Sequence, residues 1–164
     1  MVFNLGKHSS SQFNQEMEAI RSDLLRMGGL VEQQVSDALE SFLQADSALA
    51  QQVQQVEQEV DELEKHIDEE CARVLALRQP AAIDLRTIIA VSKCVADLER
   101  MGDKAAKIAK LGIQLNEEGS LTTGQVEVRH IGERVKTMLH DALDAFARFD
   151  AHKAVAVAVA DNDV

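Results

Sequence analysis

Four carboxylates stand in mirror positions about the only proline of this chain. Glu57 and Asp61 precede Pro80 by 23 and 19 residues, and Glu99 and Asp103 follow it by 19 and 23. Within each pair the spacing is i, i+4, so both side chains project from one side of a helix, where like charges repel by roughly a few tenths of a kcal/mol. A proline that breaks one long helix into an antiparallel hairpin brings residues equally far from the break to the same height on neighbouring helices. The four acids would then share one layer, and a cation bound among them would relieve the repulsion. Donors that are all oxygen suit iron, manganese, magnesium or calcium; zinc is admitted, but no thiolate is present to select it.

The bland alternative makes these residues edge charges. Glu99 and Asp103 would pair with Lys107 or Arg100, and Glu57, Asp61, Glu64 and Asp68 would be a solvated ridge, since exposed pairs at this spacing are common and weak. Two features weigh against it. On a helical wheel Arg86, Lys93, Asp97, Arg100 and Lys104 cluster within about 60° as the solvent face, whereas Glu99 and Asp103 project with Leu85, Ile89, Ser92 and Ala96. Gly102, lying between the two acids, costs a helix about 1 kcal/mol relative to alanine, so close approach by a neighbouring helix or a ligand is expected there.

Catalytic chemistry finds little support. A ferritin-like di-iron site needs Glu-x-x-His on two helices, and only Glu127 with His130 fits, near a helix start. His66, His140 and His152 are read as surface or packing residues. No Ser-His-Asp arrangement and no phosphate-cradling glycine loop is present, so the chain is not read as an enzyme. Cys71 and Cys94 have no partner spacing and are expected to be small buried hydrophobes.

The elements that must carry the acids are helices. Among 164 residues there is one proline, no tryptophan, no tyrosine and 46% hydrophobic residues, a composition of long packed helices. Residues 1–11 read as a mobile lead-in. Phe13, Met17, Ile20, Leu24, Met27, Val31, Val35, Leu39 and Phe42 then follow a helical period. Asp46-Ser47 offers a cap for a second stripe, Val53, Val56, Val60, Leu63, Ile67 and Val74, which ends near Arg78. A third runs from near Asp84 through Ile88, Val91, Val95, Leu98, Met101 and Ile108 toward Leu115. Helices this long must be held by packing against one another, and three of them predict an antiparallel three-helix bundle over 1–116, followed by a linker at 117–124.

Residues 131–164 repeat residues 27–60 at a constant offset of 104, with ten of the 34 positions identical. Gly28 recurs as Gly132, Asp37-Ala38-Leu39 as Asp141-Ala142-Leu143, Phe42 as Phe146 and Asp46 as Asp150. The expected architecture is therefore all-α, a three-helix bundle repeated twice, with the second copy (125–164) truncated within helix five. Glu57 corresponds to Asp161, which would begin a second acidic set. The alternating Ala-Val run of 154–160 has a strand-like period but no polar face, and its repeat counterpart is helical, so it too is read as helix. A truncated second copy leaves part of helix four exposed, a face that another chain could cover.

The formal charge of -11 argues against nucleic acid as a partner, because phosphate contacts need clustered Lys and Arg. No apolar stretch approaches the ~20 residues that span a bilayer, and no signal peptide is evident; a cytoplasmic protein is expected.

The residues Leu77-Arg78-Gln79-Pro80 with Asp84-Leu85-Arg86, followed by Asp97-Leu98-Glu99-Arg100-Met101-Gly102-Asp103, resemble the pattern of the PhoU family of phosphate uptake regulators. His8 to Asn14 and Met27-Gly28-Gly29 through Asp37 are similar to that family as well. The resemblance covers nearly the whole chain. It implies two repeated three-helix bundles whose Glu/Asp-x-x-x-Asp motifs can hold multinuclear iron or zinc, here at Glu57, Asp61, Glu99 and Asp103, with Asp161 opening the second set. It also implies a cytoplasmic homodimer that represses the phosphate-starvation response by linking a phosphate ABC transporter to a two-component sensor histidine kinase. A carboxylate-metal enzyme and a purely structural helical adaptor with no bound metal are the alternatives. The chain departs from the family in lacking helices five and six in full.

Overall fold

Leucine, valine and alanine at helical spacing, interrupted strongly only at Asp46 and Pro80, produce three long helices joined by short corners. The computed structural model describes residues 5–80, 82–119 and 124–161, with side chains described from residue 11 onward. The elements are α1 (Leu5–Gln44), α2 (Ser47–Arg78), α3 (Ala82–Glu117), α4 (Gln125–Arg148) and α5 (Ala151–Ala160), with no strand among the described residues. α1 begins earlier than expected, at Leu5, so the lead-in is helical through most of its length. Extending a helix that already exists adds one hydrogen bond per residue without a new nucleus, and this offsets the weak propensity of Gly6 and Ser9 to Ser11. Residues 1–4 lie outside the described residues.

Two corners set the topology. At the first, Asp46 in extended conformation accepts hydrogen bonds from the Ala48 and Leu49 amides, satisfying donors at the start of α2. At the second, Gln79 adopts φ 47° and donates to the Leu75 carbonyl, closing α2 immediately before Pro80. The mirror arrangement about Pro80 holds along α2 and α3. Gln54 donates to the Ala106 carbonyl at 2.7 Å and Ser92 donates to Asp68 at 2.9 Å, and each pair is equidistant from the proline, by 26 and by 12 residues. α1 runs antiparallel to α2, as Arg26–Glu59 and Glu16–Arg73 show, and in the same direction as α3.

The interior changes character along the bundle. Near the Pro80 end and through the middle, Ile20, Leu24, Met27, Ile67, Val74, Ile88, Val91 and Val95 fill a core of large side chains. Toward the Asp46 corner Ala38, Ala50, Val53, Ala105, Ala106 and Ala109 replace them, and the helices close in. Gly112 belongs to this end: a Cβ there would stand 3.1 Å from Phe42 Cα. Cys71 is buried, and burial pushes its thiol up to about 11, whereas Cys94, expected inside, is exposed. No helix among the described residues is long and apolar enough to cross a membrane.

α4 lies against the outside of α1, and α5 folds back on α4. Both features obey the offset of 104. Ala45 and Phe149 are repeat equivalents with φ 56° and 55°. Each is followed by an extended Asp N-cap, Asp46 or Asp150, whose amides donate to the equivalent carbonyls of Ser41 and Ala145. The α1–α4 contact is reciprocal: Gly28 makes room for Leu143, and Gly132 makes room for Leu39. Residue i therefore meets j+104 while j meets i+104. The Ala-Val run is helical, as the repeat predicts.

Candidate metal centre

The layer at Gly102 is where α1, α2 and α3 bring polar atoms together inside an otherwise apolar bundle. Glu57 and Asp61 sit one turn apart on α2, and Glu99 faces them from α3 because it lies as far beyond Pro80 as Asp61 lies before it. All three are half-buried, and one carboxylate oxygen from each falls within 4.8 Å of the others. Among the described residues no lysine or arginine forms an ion pair with any of the three.

The electrostatics are those of a site holding more negative charge than its neighbours compensate. Burial holds Glu57 above the ordinary carboxylate range; a hydrogen bond from Gln34 opposes this, while the charges of Asp61, Asp103 and Glu99 add to it. Glu64, one turn further on than Asp61, is also raised, first by burial and then by Glu99, Asp68 and Asp61. A cation placed among these oxygens would reverse both effects. The donor set, three carboxylates within reach of one centre in a partly dry setting, fits a hard or borderline cation such as iron, manganese or zinc.

Not every expected residue joins the group. Asp103 turns away to Lys107, with Nζ 2.6 Å from its carboxylate, the pairing that the edge-charge alternative foresaw. This bond raises the Lys107 ammonium above its usual range. Asp103 still acts on Glu57 through its charge. Arg100 pairs with Asp97 rather than with Glu99. Asp161 caps the end of α5, exposed, and belongs to no metal-binding group among the described residues. His140 approaches Glu32 at 2.8 Å and His66 approaches Asp23 at 3.5 Å, both on the surface.

Gln34 was not anticipated. It is fully buried in the last third of α1, and its side-chain amide donates to the Val53 carbonyl at 3.3 Å and to Glu57. Its own carbonyl oxygen, Oε1, is buried without a partner. Gly102 explains how this group fits, since a Cβ on that residue would stand 2.8 Å from Gln34 Oε1 and 3.3 Å from Glu57 Oε2. The close approach that the sequence suggested at Gly102 is therefore made by Gln34 and Glu57. A polar residue three positions after Val31, in register with the apolar stripe, was the available signal.

The pattern of the PhoU domain matches residues 24–112, which contain Gln34, both acidic pairs and the Pro80 corner. The chain is 58% identical over 161 residues to the phosphate-specific transport system accessory protein PhoU homolog of Pseudomonas putida, covering 98% of this chain and 63% of that protein. It superposes on the crystal structure of PhoU from Pseudomonas aeruginosa with a TM-score of 0.90 at 58% identity, over 92% of this chain and 72% of that one. For the phosphate transport system regulatory protein PhoU from Streptococcus pneumoniae the TM-score is 0.83 at 32% identity, over 92% and 70%. The chain spans 63% and 66% of the lengths of the two Pseudomonas curated relatives it matches. An all-helical fold, the acidic turns on either side of Pro80 and the likeness along nearly its whole length together make this chain a member of the PhoU family.

Proposed function

We propose that this chain is an accessory regulator of a phosphate-specific transport system. In this reading it is a cytoplasmic homodimer that lowers phosphate-starvation signalling when phosphate is plentiful, by linking a phosphate ABC transporter to a two-component sensor histidine kinase. The observation that carries it is the 58% identity, over 98% of this chain, to an accessory protein of such a system. Residues 1–116 then form the first three-helix bundle, 117–124 the linker and 125–164 the beginning of a second, with Asp161 at the start of its acidic set. The role is one of binding and coupling rather than turnover.

The same reading makes the layer at Gly102 a site for iron or zinc. Glu57, Asp61 and Glu99 would hold the ion, and Asp103 would join them once released from Lys107. A bound cation would supply charge that ties α2 to α3 across the Pro80 hairpin. The salt bridge between Asp103 and Lys107 favours a second reading, a structural adaptor whose acidic layer is empty.

Two experiments separate these. In a strain lacking its own PhoU, the chain is expected to restore repression of a phosphate-starvation reporter in phosphate-rich medium; an unrepressed reporter at normal protein levels would refute the regulatory assignment. Plasma mass spectrometry of protein purified without chelators is expected to find iron, zinc or manganese that a Glu57→Ala/Glu99→Ala variant lacks. No metal in either preparation would leave the adaptor.

A further inference from the structure

We propose that Gln34 is the positioning residue of the carboxylate site, an inference that rests on the reading of that layer as a cation site. Both groups facing its amide, the Val53 carbonyl and the Glu57 carboxylate, are acceptors. The NH2 end must therefore turn toward them, and the orientation of the amide follows from chemistry. One nitrogen thus ties Glu57 to the backbone of its own helix and to α1, fixing the carboxylate where it meets Asp61 and Glu99.

The same orientation leaves Oε1 as a buried acceptor with no donor. Among the described residues no side chain or amide donates to it, and the nearest groups of the layer, Glu57, Asp61 and Glu99, are carboxylates. A hydrated cation can donate: its bound water carries polarised O–H groups that an amide oxygen accepts. Gly102 is the clearance this arrangement requires, because a methyl group there would occupy the space of Gln34 Oε1 and crowd Glu57. Gln34 and Gly102, on two different helices, are thus parts of one device. The repeat sharpens the assignment, since the equivalent of Gln34 at offset 104 is Met138, which has no donor and only a weakly accepting sulfur.

The test uses the metal-stripped chain, with Zn2+ and, without air, Fe2+ affinities measured by competition against a chromophoric chelator and metal-free Tm measured beside them. Gln34→Met keeps length and volume but removes both hydrogen-bonding functions; Gly102→Ala leaves Gln34 in the sequence and displaces it from the other side. Both variants are expected to bind the wild type's preferred ion at least tenfold more weakly, with metal-free Tm changed by no more than a few degrees. Wild-type affinity in both variants would overturn the positioning role and leave the cation site standing, and a fall in Tm with unchanged affinity would do the same by making Gln34 a core residue only. A wild-type chain that binds neither ion would overturn the site and this inference together.

Discussion

The two copies of the repeat share their corners and differ in what they enclose. Ala45-Asp46 and Phe149-Asp150 turn the chain alike, with matching φ values, an extended Asp cap in each and matching amide bonds back to residues 41 and 145. Beyond the corner the copies part. α2 runs for 32 residues and is enclosed by α1 and α3, whereas α5, as far as the described residues follow it, packs on α4 with none of its residues buried. Gln34, Val53 and the half-buried Glu57 form a polar device in the first copy; its counterparts are Met138 and Val157, both half-buried, and the exposed Asp161. A local rule, a cap plus a left-handed turn residue, thus sets the direction of a helix in both copies, and in the first copy enclosure by a third helix converts that direction into a site.

The largest expected difference between the copies is in packing. Val53 is 1% exposed among Ala38, Ala50 and Ala105, and truncation to alanine is expected to cost about 2 kcal/mol, whereas Val157→Ala costs only about a few tenths. Equal losses in chemical denaturation would mean that the second copy is as enclosed as the first. Caps come next. Asp46→Ala removes an acceptor from two amides and is expected to lower global stability by about 1 kcal/mol. Asp150→Ala removes one bond, to the Lys153 amide, and is expected to speed hydrogen exchange in α5 while leaving exchange in α1 to α3 as it was. Protection lost throughout would show that the copies unfold together.

The smallest effect is electrostatic and confined to the first copy. Arg78, and then Arg73, hydrogen-bond Glu16 and hold its carboxyl below the ordinary range. A group with a depressed folded pKa adds stability above its unfolded pKa and loses it as pH falls through the folded one. Glu16→Gln is accordingly expected to lower Tm by about one degree at pH 7, and the gap to the wild type is expected to close as pH falls below the ordinary carboxylate range. A gap that does not change with pH would assign the effect to packing.

The sequence carried the layout of the site further than its membership. That Glu57, Asp61 and Glu99 would meet at one height was legible because one proline at the centre of two regular helices makes height a matter of counting. Which way Asp103 turns was not, because spacing alone does not rank the layer against Lys107 four residues on. Gln34 escaped notice because hydropathy patterning registers a polar residue in an apolar stripe as an interruption and says nothing of its partners, which lie on other helices. Cys94 was placed inside by residue type, but its direction on α3 belongs to the exposed face. Asp161 was legible as an equivalent of Glu57, and the described residues give it no company.

The reciprocal fit of Gly28 with Leu143 and Gly132 with Leu39 is the contact two identical molecules make about a twofold axis. Joined in one chain, it has the form of a dimer interface made covalent, as duplication and fusion of a gene for a self-associating half would leave it. In a true homodimer every substitution in that interface is felt twice. Here each socket and each leucine can change singly.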